Sequence, residues 1–302
     1  MGNKVSIIIP NYNRAHLIGE TLDSIIAQSY PGWECIIVDD GSIDNSLEII
    51  NEYSKKDSRF KLYERPEDYP KGANACRNIG LSKATGKYVI FFDSDDLMNI
   101  SHIQTKVEAI QSGDYDFIVA RTKYFNNSEG VNPMNYRELD KLPINADNFI
   151  QKKINWTTLD PLIKTGIAKS ISFTEKNESA EEYNYFVKLV LATENAIAIN
   201  DVLSKRRYHE GSYHVNLDSQ EKKIKNKFYY FYDTYFEIKN SHISKSSKKY
   251  LLNYIAETIY HHRKMLSFNP LFLYKELIKE FGILKGLNKI ITIESKNWAL
   301  KH

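Results

Sequence analysis

Three carboxylates fall within four positions in "FFDSDDL" (91–97), directly behind the apolar run "KYVIFF" (87–92). Asp93, Asp95 and Asp96 at that spacing repel one another and lose hydration when held close, so a cation is their economical partner. A second acidic pair, Asp39-Asp40, follows another apolar run, "ECIIV" (34–38). Oxygen donors without a cysteine cluster beside them favour Mg²⁺ or Mn²⁺ over structural zinc. Alternation along an extended chain puts Asp93 and Asp95 on one side and Ser94 on the other. The competing reading is a pair of solvated turns, with Asp96 capping the helix that follows.

The elements that must position these acids alternate in type. "KVSIIIP" (4–10) is a β-branched strand stopped by Pro10, and residues 14–28 set Leu17, Ile18, Leu22, Ile25 and Ile26 on one helical face. The strand at 34–38 ends in the turn signal "DDGS"; Leu47, Ile50 and Tyr53 mark a helix, and a third strand follows at 60–63. "KGANACRNIGLSKATG" (71–86) reads as a loop entering a short helix, ahead of the strand at 87–92. Ile100, Ile103, Val107 and Ile110 line the next helix, and a strand at 116–122 follows. Such alternation predicts an α/β fold: a doubly wound, Rossmann-like and mostly parallel sheet covered on both faces, with ligands beyond the carboxyl ends of the strands. Both acidic clusters sit at those ends.

Periodicity fades between 123 and 170, which predicts long loops, and returns at 181–193, where Tyr183, Phe186, Val187 and Val190 share a face. Residues 196–212 read as edge strands running into a basic loop. Aromatic, basic helices follow at 222–239, 247–265 and 271–290, with Pro270 as a break, so a boundary is placed near 218. This gives an α/β unit over 1–218 and a helical extension over 219–302.

The chain has 302 residues, 42% hydrophobic and 26% charged, which suits one or two folded domains. Its net charge of +3 conceals a split: residues 1–220 carry 25 Lys/Arg against 31 Asp/Glu, and residues 221–302 carry 16 against 7. The tail therefore has a preference for anionic surfaces that the head lacks. Cys35 and Cys76 suggest no disulfide framework and fit a reducing compartment. "VSIIIP" is too short for a secretion signal and no apolar run is long enough to span a bilayer, so a cytoplasmic protein is expected.

In order, "VSIIIPNYNR" (5–14), "IIVDDGSIDNS" (36–46), "GANACRNIGLSKATGKYVIFFDSDD" (72–96) and, more loosely, "KRRYHEGS" (205–212) resemble glycosyltransferase family 2, the inverting GT-A enzymes of bacterial polysaccharide assembly. The resemblance covers approximately residues 4–215 and implies a nucleotide-sugar donor. Carried over by position, Pro10 and Tyr12 border the base. One of Asp39 or Asp40, with Asp39 preferred, accepts from the base N–H and favours uracil. Arg77 lies near base or phosphates. Asp93-Ser94-Asp95 matches the DXD motif, with Asp93 approaching the ribose and Asp95 ligating Mn²⁺ or Mg²⁺ across the diphosphate; Asp96 borders the donor or acceptor pocket.

An inverting transfer needs a carboxylate to take the proton from the attacking hydroxyl. The family resemblance implies a Glu-Asp pair opening a helix; here "ESAEEYNYF" (178–186) has Glu181-Glu182, making Glu182 the base candidate and Glu181 its alternate. The extra methylene relative to Asp moves the carboxylate, and misplacement by about an ångström can cost about 10²-fold. "SAEE" (179–182) is equally a capping box, with Ser179 as cap and Glu182 returning to it. In "KRRYHEGS", Arg207 and His209 share a side of an extended chain and are chosen for the diphosphate, with His209 a further metal contact; a solvated basic turn is the alternative. Lys164 and Trp156 fall where the family shapes donor and acceptor pockets, and Trp156 serves equally as a core side chain.

The tail segment "FNPLFLYKELIKEFGILKGLNKII" (268–291) suits an anionic membrane surface, which would bring the site to a lipid-linked acceptor. Packing on the α/β unit or in a homodimer suits it as well; nucleic acid is not expected. The expected function is metal-dependent, inverting transfer of a hexose or N-acetylhexosamine from a UDP-sugar to a glycan or lipid-linked saccharide. A transfer-inactive nucleotide-sugar-binding protein is the alternative. A nucleotidyltransferase would want a Gly- and Lys-rich phosphate loop that "PNYNRAHL" does not supply.

Overall fold

The computed structural model describes residues 3–125, 134, 136–175, 181–208 and 220–299. The strands are β1 (Val5–Asn11), β2 (Trp33–Asp39), β3 (Phe60–Glu64), β4 (Tyr88–Phe91), β5 (Leu97–Met98), β6 (Phe117–Phe125), β7 (Pro161–Lys164) and β8 (Ala196–Arg207). They form one eight-stranded sheet in the order β3-β2-β1-β4-β7-β6-β8-β5. β1 pairs in parallel with β2 and β4, β2 with β3, and β6 with β8; β7 runs antiparallel between β4 and β6, and β5 antiparallel to β8.

Apolar runs without polar alternation are what a sheet covered on both faces demands, and every residue of β1, β2 and β4 is buried. The period of two sorts them. Val5, Ile7, Ile9, Cys35, Ile37 and Ile90 pack with α1 (Ile18–Ile26), α2 (Ser46–Lys56) and α4 (His102–Ser112). Ile8, Ile36, Val38, Val89 and Phe91 belong to the opposite core with α3 (Ala73–Lys83), α5 (Ala146–Ile150), α6 (Thr165–Lys169) and α7 (Glu181–Ala192).

That second core continues into the C-terminal helices α8 (Gln220–Ile238), α9 (Lys245–His262), α10 (Pro270–Phe281) and α11 (Ile283–Ala299), through Phe228, Phe231, Tyr235, Leu251, Ile255, Leu273 and Ile293. Among the described residues, one core runs from the α/β layers into the extension. Pro270 is the first residue of α10, where its missing N–H costs nothing, and the Asn269 side chain accepts from Phe272 N–H as its cap. The single helix expected over 271–290 is two, broken at Gly282, whose φ of 85° ends α10.

The long loops expected over 123–170 are corrected in part. α5, β7 and α6 all lie there, and β7 sits in mid-sheet. Four residues beginning with proline carry no period of their own; their partners make them a strand. The edge strands expected at 196–212 are one strand, β8, with register shifts against β6 and only the two-residue β5 outside it. Both cysteines are free and buried. Among the described residues no helix is long and apolar enough to cross a membrane.

Candidate active site

Strand register decides what the acids do. Asn11 lies opposite Asp39, and Ile8 opposite Phe91, so the chain after β4 brings Asp93–Asp96 to the carboxyl edge that Asn11 and Asp39 also occupy. A cleft of about 780 Å³ opens there. The end of β1 contributes Pro10, Tyr12 and Arg14, the turn after β2 contributes Asp40, and α3 contributes Arg77. Asp93, Ser94, Asp95 and Asp96 line it with Glu182 of α7 and Arg206 and Arg207 of β8. Arg137, Lys152, Trp156, Tyr183, Lys222 and Tyr230 are also among the lining residues.

Asp39 and Asp40 have divided roles. Asp39 is 1% exposed, is not among the cleft-lining residues, and accepts from Asn11 Nδ2 (2.8 Å), Gly41 N (3.0 Å), Ser42 N (2.7 Å) and Ser42 Oγ (2.6 Å). It builds the turn in which Gly41 takes φ 84°, a conformation other residues adopt with strain. Asp40 lines the cleft, paired with Arg65 and accepting from Gly72 N at 2.9 Å. Asp40 and not Asp39 reaches the cleft, against the expected preference for Asp39 at the base. Tyr12, 47% exposed, is an open ring beside Asp40 on this lining.

Asp93 accepts from Arg77 Nη2 at 2.9 Å, and Asp95 from Arg14 Nε at 3.3 Å. Asp96 is 1% exposed; its Oδ1 takes the Arg207 backbone N–H at 2.7 Å, whereas its Oδ2 has no partner among the described residues. Burial, then the neighbouring charges of Asp95 and Asp93, push its carboxyl well above the usual range. Asp93 and Asp95 are the carboxylates here that a hard divalent ion would use. No group of three or more His, Cys, Asp or Glu side chains among the described residues is arranged to hold one.

Glu182, in the first turn of α7, is half-buried on the cleft. Its charge acts on Arg206 and on the Tyr230 hydroxyl, which line the same cleft. Burial works against the charge of Arg206, but Glu182, Asp96 and Asp93 outweigh it and hold the guanidinium firmly protonated. Arg207 is a tie: its Nη2 meets Glu20 at 2.6 Å and its Nε meets the Asp95 carbonyl at 3.0 Å. Sequence reasoning chose Arg207 and passed over Arg206, because strand alternation does not show that both line the cleft. Arg14, Arg137, Lys152 and Lys222 were also missed. Arg14 stands inside the "PNYNR" motif, and the other three had no local signal.

Lys164 is corrected. It pairs with Tyr88 at the start of β4, the opposite edge of the sheet, and binds Asp114 and Asp116 at 2.9 and 3.1 Å. Because β7 is antiparallel, its last residue points away from the site. Trp156 lines the cleft yet is 5% exposed, with Phe149 at 4.2 Å and Phe186 at 5.8 Å. It is a core ring with no open face for a sugar, and its buried Nε1 has no partner among the described residues. The loop after it is held by Asp160, which takes hydrogen bonds from Thr157 N (2.7 Å), Thr157 Oγ1 (2.9 Å), Thr122 Oγ1 (2.7 Å) and the Tyr136 hydroxyl (3.1 Å). His209 and Ser179 lie outside the described residues, so neither the metal contact nor the capping box receives a structural account; of Glu181 only the backbone is described.

Residues 6–173 match the family model described as Glycosyl transferase family 2. Among curated proteins, the chain is 40% identical over 129 residues to the glycosyltransferase GlyA of Streptococcus pneumoniae serotype 4, covering 43% of this chain and 18% of that protein. It is 35% identical over 127 residues to WfgD of Escherichia coli, a UDP-Glc:alpha-D-GlcNAc-diphosphoundecaprenol beta-1,3-glucosyltransferase, covering 42% and 49%. The matches thus span half or less of these relatives' length. Among solved structures, S. aureus TarS 1-349 with UDP-GlcNAc superposes with TM-score 0.68 at 23% identity, covering 96% of this chain and 81% of that one. The mannosyltransferase PcManGT of Pyrobaculum calidifontis, in complex with GDP-Man and Mn²⁺, gives 0.60 at 18% identity, covering 99% and 88%. At such identities these two show the fold alone: a GT-A arrangement with C-terminal helices.

Proposed function

The chain belongs to glycosyl transferase family 2, and from that premise we propose that it transfers a hexose or N-acetylhexosamine from a UDP-sugar to a saccharide in cell-surface polysaccharide synthesis, with inversion. The observation that carries the reading is one cleft lined at once by an exposed ring, a DXD acid pair and a half-buried glutamate. Tyr12 stacks on the base and Asp40 accepts its N–H. Asp93 and Asp95 hold Mn²⁺ or Mg²⁺, which when bound stabilises negative charge on the departing diphosphate. Arg206, kept protonated by Glu182, Asp96 and Asp93, adds a fixed positive charge where the leaving oxygen develops its own.

Glu182 accepts the proton of the attacking hydroxyl as that oxygen bonds to the anomeric carbon and the bond to the diphosphate breaks. One displacement turns an α-linked donor into a β-linked product. The test is UDP release from a panel of UDP-sugars with Mn²⁺, GDP-mannose as contrast, and the anomeric configuration of the product by NMR. A UDP-sugar consumed only with metal, giving a β product, is expected. Turnover undiminished by exhaustive chelation sinks the metal assignment, and an α product sinks the single displacement. UDP-sugar binding without any transfer would favour the transfer-inactive alternative.

We place the enzyme on an anionic membrane surface through α10 and α11. Leu271 (79% exposed), Leu284 (85%) and Ile291 (63%) are open to solvent, and Lys275 and Lys285 are exposed on the same helices. Apolar side chains with basic neighbours complement anionic headgroups. Salt-sensitive co-sedimentation with phosphatidylglycerol vesicles, and not with phosphatidylcholine alone, is expected. A dimer that loses its interface on Leu284→Glu, with no vesicle binding, would overturn the placement.

A further inference from the structure

One face of α3 reaches in two directions. Asn74, Arg77 and Asn78 stand at helix positions i, i+3 and i+4, so they share that face. Arg77 Nη2 donates to Asp93 Oδ1 at 2.9 Å, and its Nη1 to Asn74 Oδ1 at 3.3 Å. Asn74 Nδ2 donates in turn to the Thr174 carbonyl at 2.7 Å. Asn78 takes both backbone groups of Phe173, its Nδ2 donating to the carbonyl (3.0 Å) and its Oδ1 accepting from the N–H (2.9 Å). Phe173 and Thr174 are therefore gripped by the helix that also holds the first DXD acid.

The same two residues grip α7. The Phe173 ring stacks on Tyr185, with centroids 3.9 Å apart and planes at 6°. The Thr174 hydroxyl lies 2.7 Å from Asn184 Oδ1 and 3.0 Å from Glu237 Oε1, its two acceptors. Asn184 Nδ2 continues to Glu237 Oε2 (3.2 Å) and Thr234 Oγ1 (3.3 Å) of α8. The Thr234 hydroxyl donates to the carbonyl of Tyr230, a residue of the cleft lining. Lys188, one turn along α7, closes on Glu237 at 2.7 Å. Asn74, Arg77, Thr174, Asn184 and Thr234 are all buried, 7% exposed at most. Apolar contacts would join these elements without desolvating polar groups; a satisfied hydrogen-bond network adds fixed orientation.

We propose that Asn74, Thr174 and Asn184 are positioning residues that brace the first turn of α7, and so Glu182, against the donor acids. Asn184 is two residues from Glu182, about 200° around the helix. Its buried side chain anchors the turn from behind while Glu182 lines the cleft. The brace takes its purpose from the glycosyltransferase reading, in which Glu182 accepts the proton and misplacement by about an ångström costs about 10²-fold. A donor that orders Asp93 thereby stiffens the turn carrying Glu182. The extension has a part in this, because α8 supplies Thr234 and Glu237 at the far end of the brace.

Thr174→Val in the full-length protein keeps the side chain's shape and removes its hydroxyl. It is expected to lower kcat for transfer about 10- to 100-fold, with KM for the UDP-sugar and UDP affinity by calorimetry unchanged, and Thr174→Ser to restore turnover. Because the effect runs through Glu182, adding Thr174→Val to Glu182→Gln is expected to slow transfer no further. Normal kcat in Thr174→Val, a raised KM in its place, or losses that multiply in the double variant would overturn the brace. Hydrogen exchange by mass spectrometry reads the same link without transfer. UDP with Mg²⁺ is expected to slow exchange over residues 182–187 in wild type and not in Thr174→Val; equal slowing in both, or none in wild type, overturns the brace as well. If Glu182→Gln transfers normally, the base reading fails and the exchange pattern alone decides. If UDP does not bind, the donor reading fails, and the free protein decides: Asn74→Ala, two links from α7, is expected to quicken exchange there about 2- to 10-fold, the size of one lost hydrogen bond, and no change sinks the proposal. Should Thr174→Val not fold, Asn74→Ala replaces it in every measurement.

Discussion

Two buried carboxylates at opposite edges of one sheet behave in opposite ways. Glu34, at the amino edge beside the start of β1, accepts from Lys4 (2.8 Å), Lys61 (2.7 Å), Ser6 (2.7 Å) and Thr85 through both its N–H (2.9 Å) and hydroxyl (2.8 Å). Burial opposes its charge, but those bonds prevail and hold its carboxyl well below the usual range. Asp96, at the carboxyl edge, has one backbone N–H and an oxygen with no partner among the described residues, and its carboxyl is pushed well above. The chain closes the charge at one edge and leaves it open at the other. A structural acid is recognised by its complete set of partners and a functional one by what it lacks.

That contrast breaks or sharpens under substitution. The largest expected effect is at the open edge: Asp95→Ala, or chelation of wild type, should reduce UDP release by about 10³-fold or more, with urea-unfolding stability within about 1 kcal/mol of wild type. A large stability loss with activity intact would reverse the assignment. Glu182→Gln should lower transfer by about 10²- to 10⁴-fold while UDP affinity, by calorimetry, is unchanged; normal transfer removes Glu182 as base.

Glu34→Ala tests the closed edge. It should cost about 2–4 kcal/mol in urea unfolding, because buried Ser6 and Thr85 donors lose their acceptor, with turnover per folded molecule preserved. The sign with pH follows from the lowered carboxyl. Its stabilisation is fully present above the ordinary value of 4.5 and is lost as pH falls below it, so the variant should show a flatter acid limb than wild type. The smallest effect is expected of Asp96→Asn, within about 1 kcal/mol of wild type or slightly more stable, since burial and the neighbouring Asp95 and Asp93 already disfavour its charged form. A loss as large as that of Glu34→Ala would erase the distinction between the edges.

Much of this is legible in the chain alone. Apolar runs ended by acids mark β1, β2 and β4 and put Asp40, Asp93 and Asp95 on one edge, because strand periodicity and parallel connection are short-range rules. β7 is not legible: four residues do not show a period, and pairing with β4 and β6 makes the strand. The family resemblance put Lys164 at the pockets, and the antiparallel pairing of β7 puts it at the opposite edge. The division of labour between Asp39 and Asp40 is hidden for another reason. Adjacent acids look alike until Ser42, Gly41 and Asn11 are seen to take one of them and Arg65 and Gly72 the other.

The sequence by itself determined the order of the elements, the density of carboxylates at strand ends and the membership of glycosyl transferase family 2, all written in runs of neighbouring residues. Only the tertiary structure decided that Asp40 and not Asp39 reaches the cleft, that Arg206 lines it as well as Arg207, and that Arg137, Lys152 and Lys222 from three separate segments line it too. The reason is physical. Burial and charge pairing are set by what lies across space, and no local pattern in a chain reports which distant groups will arrive there.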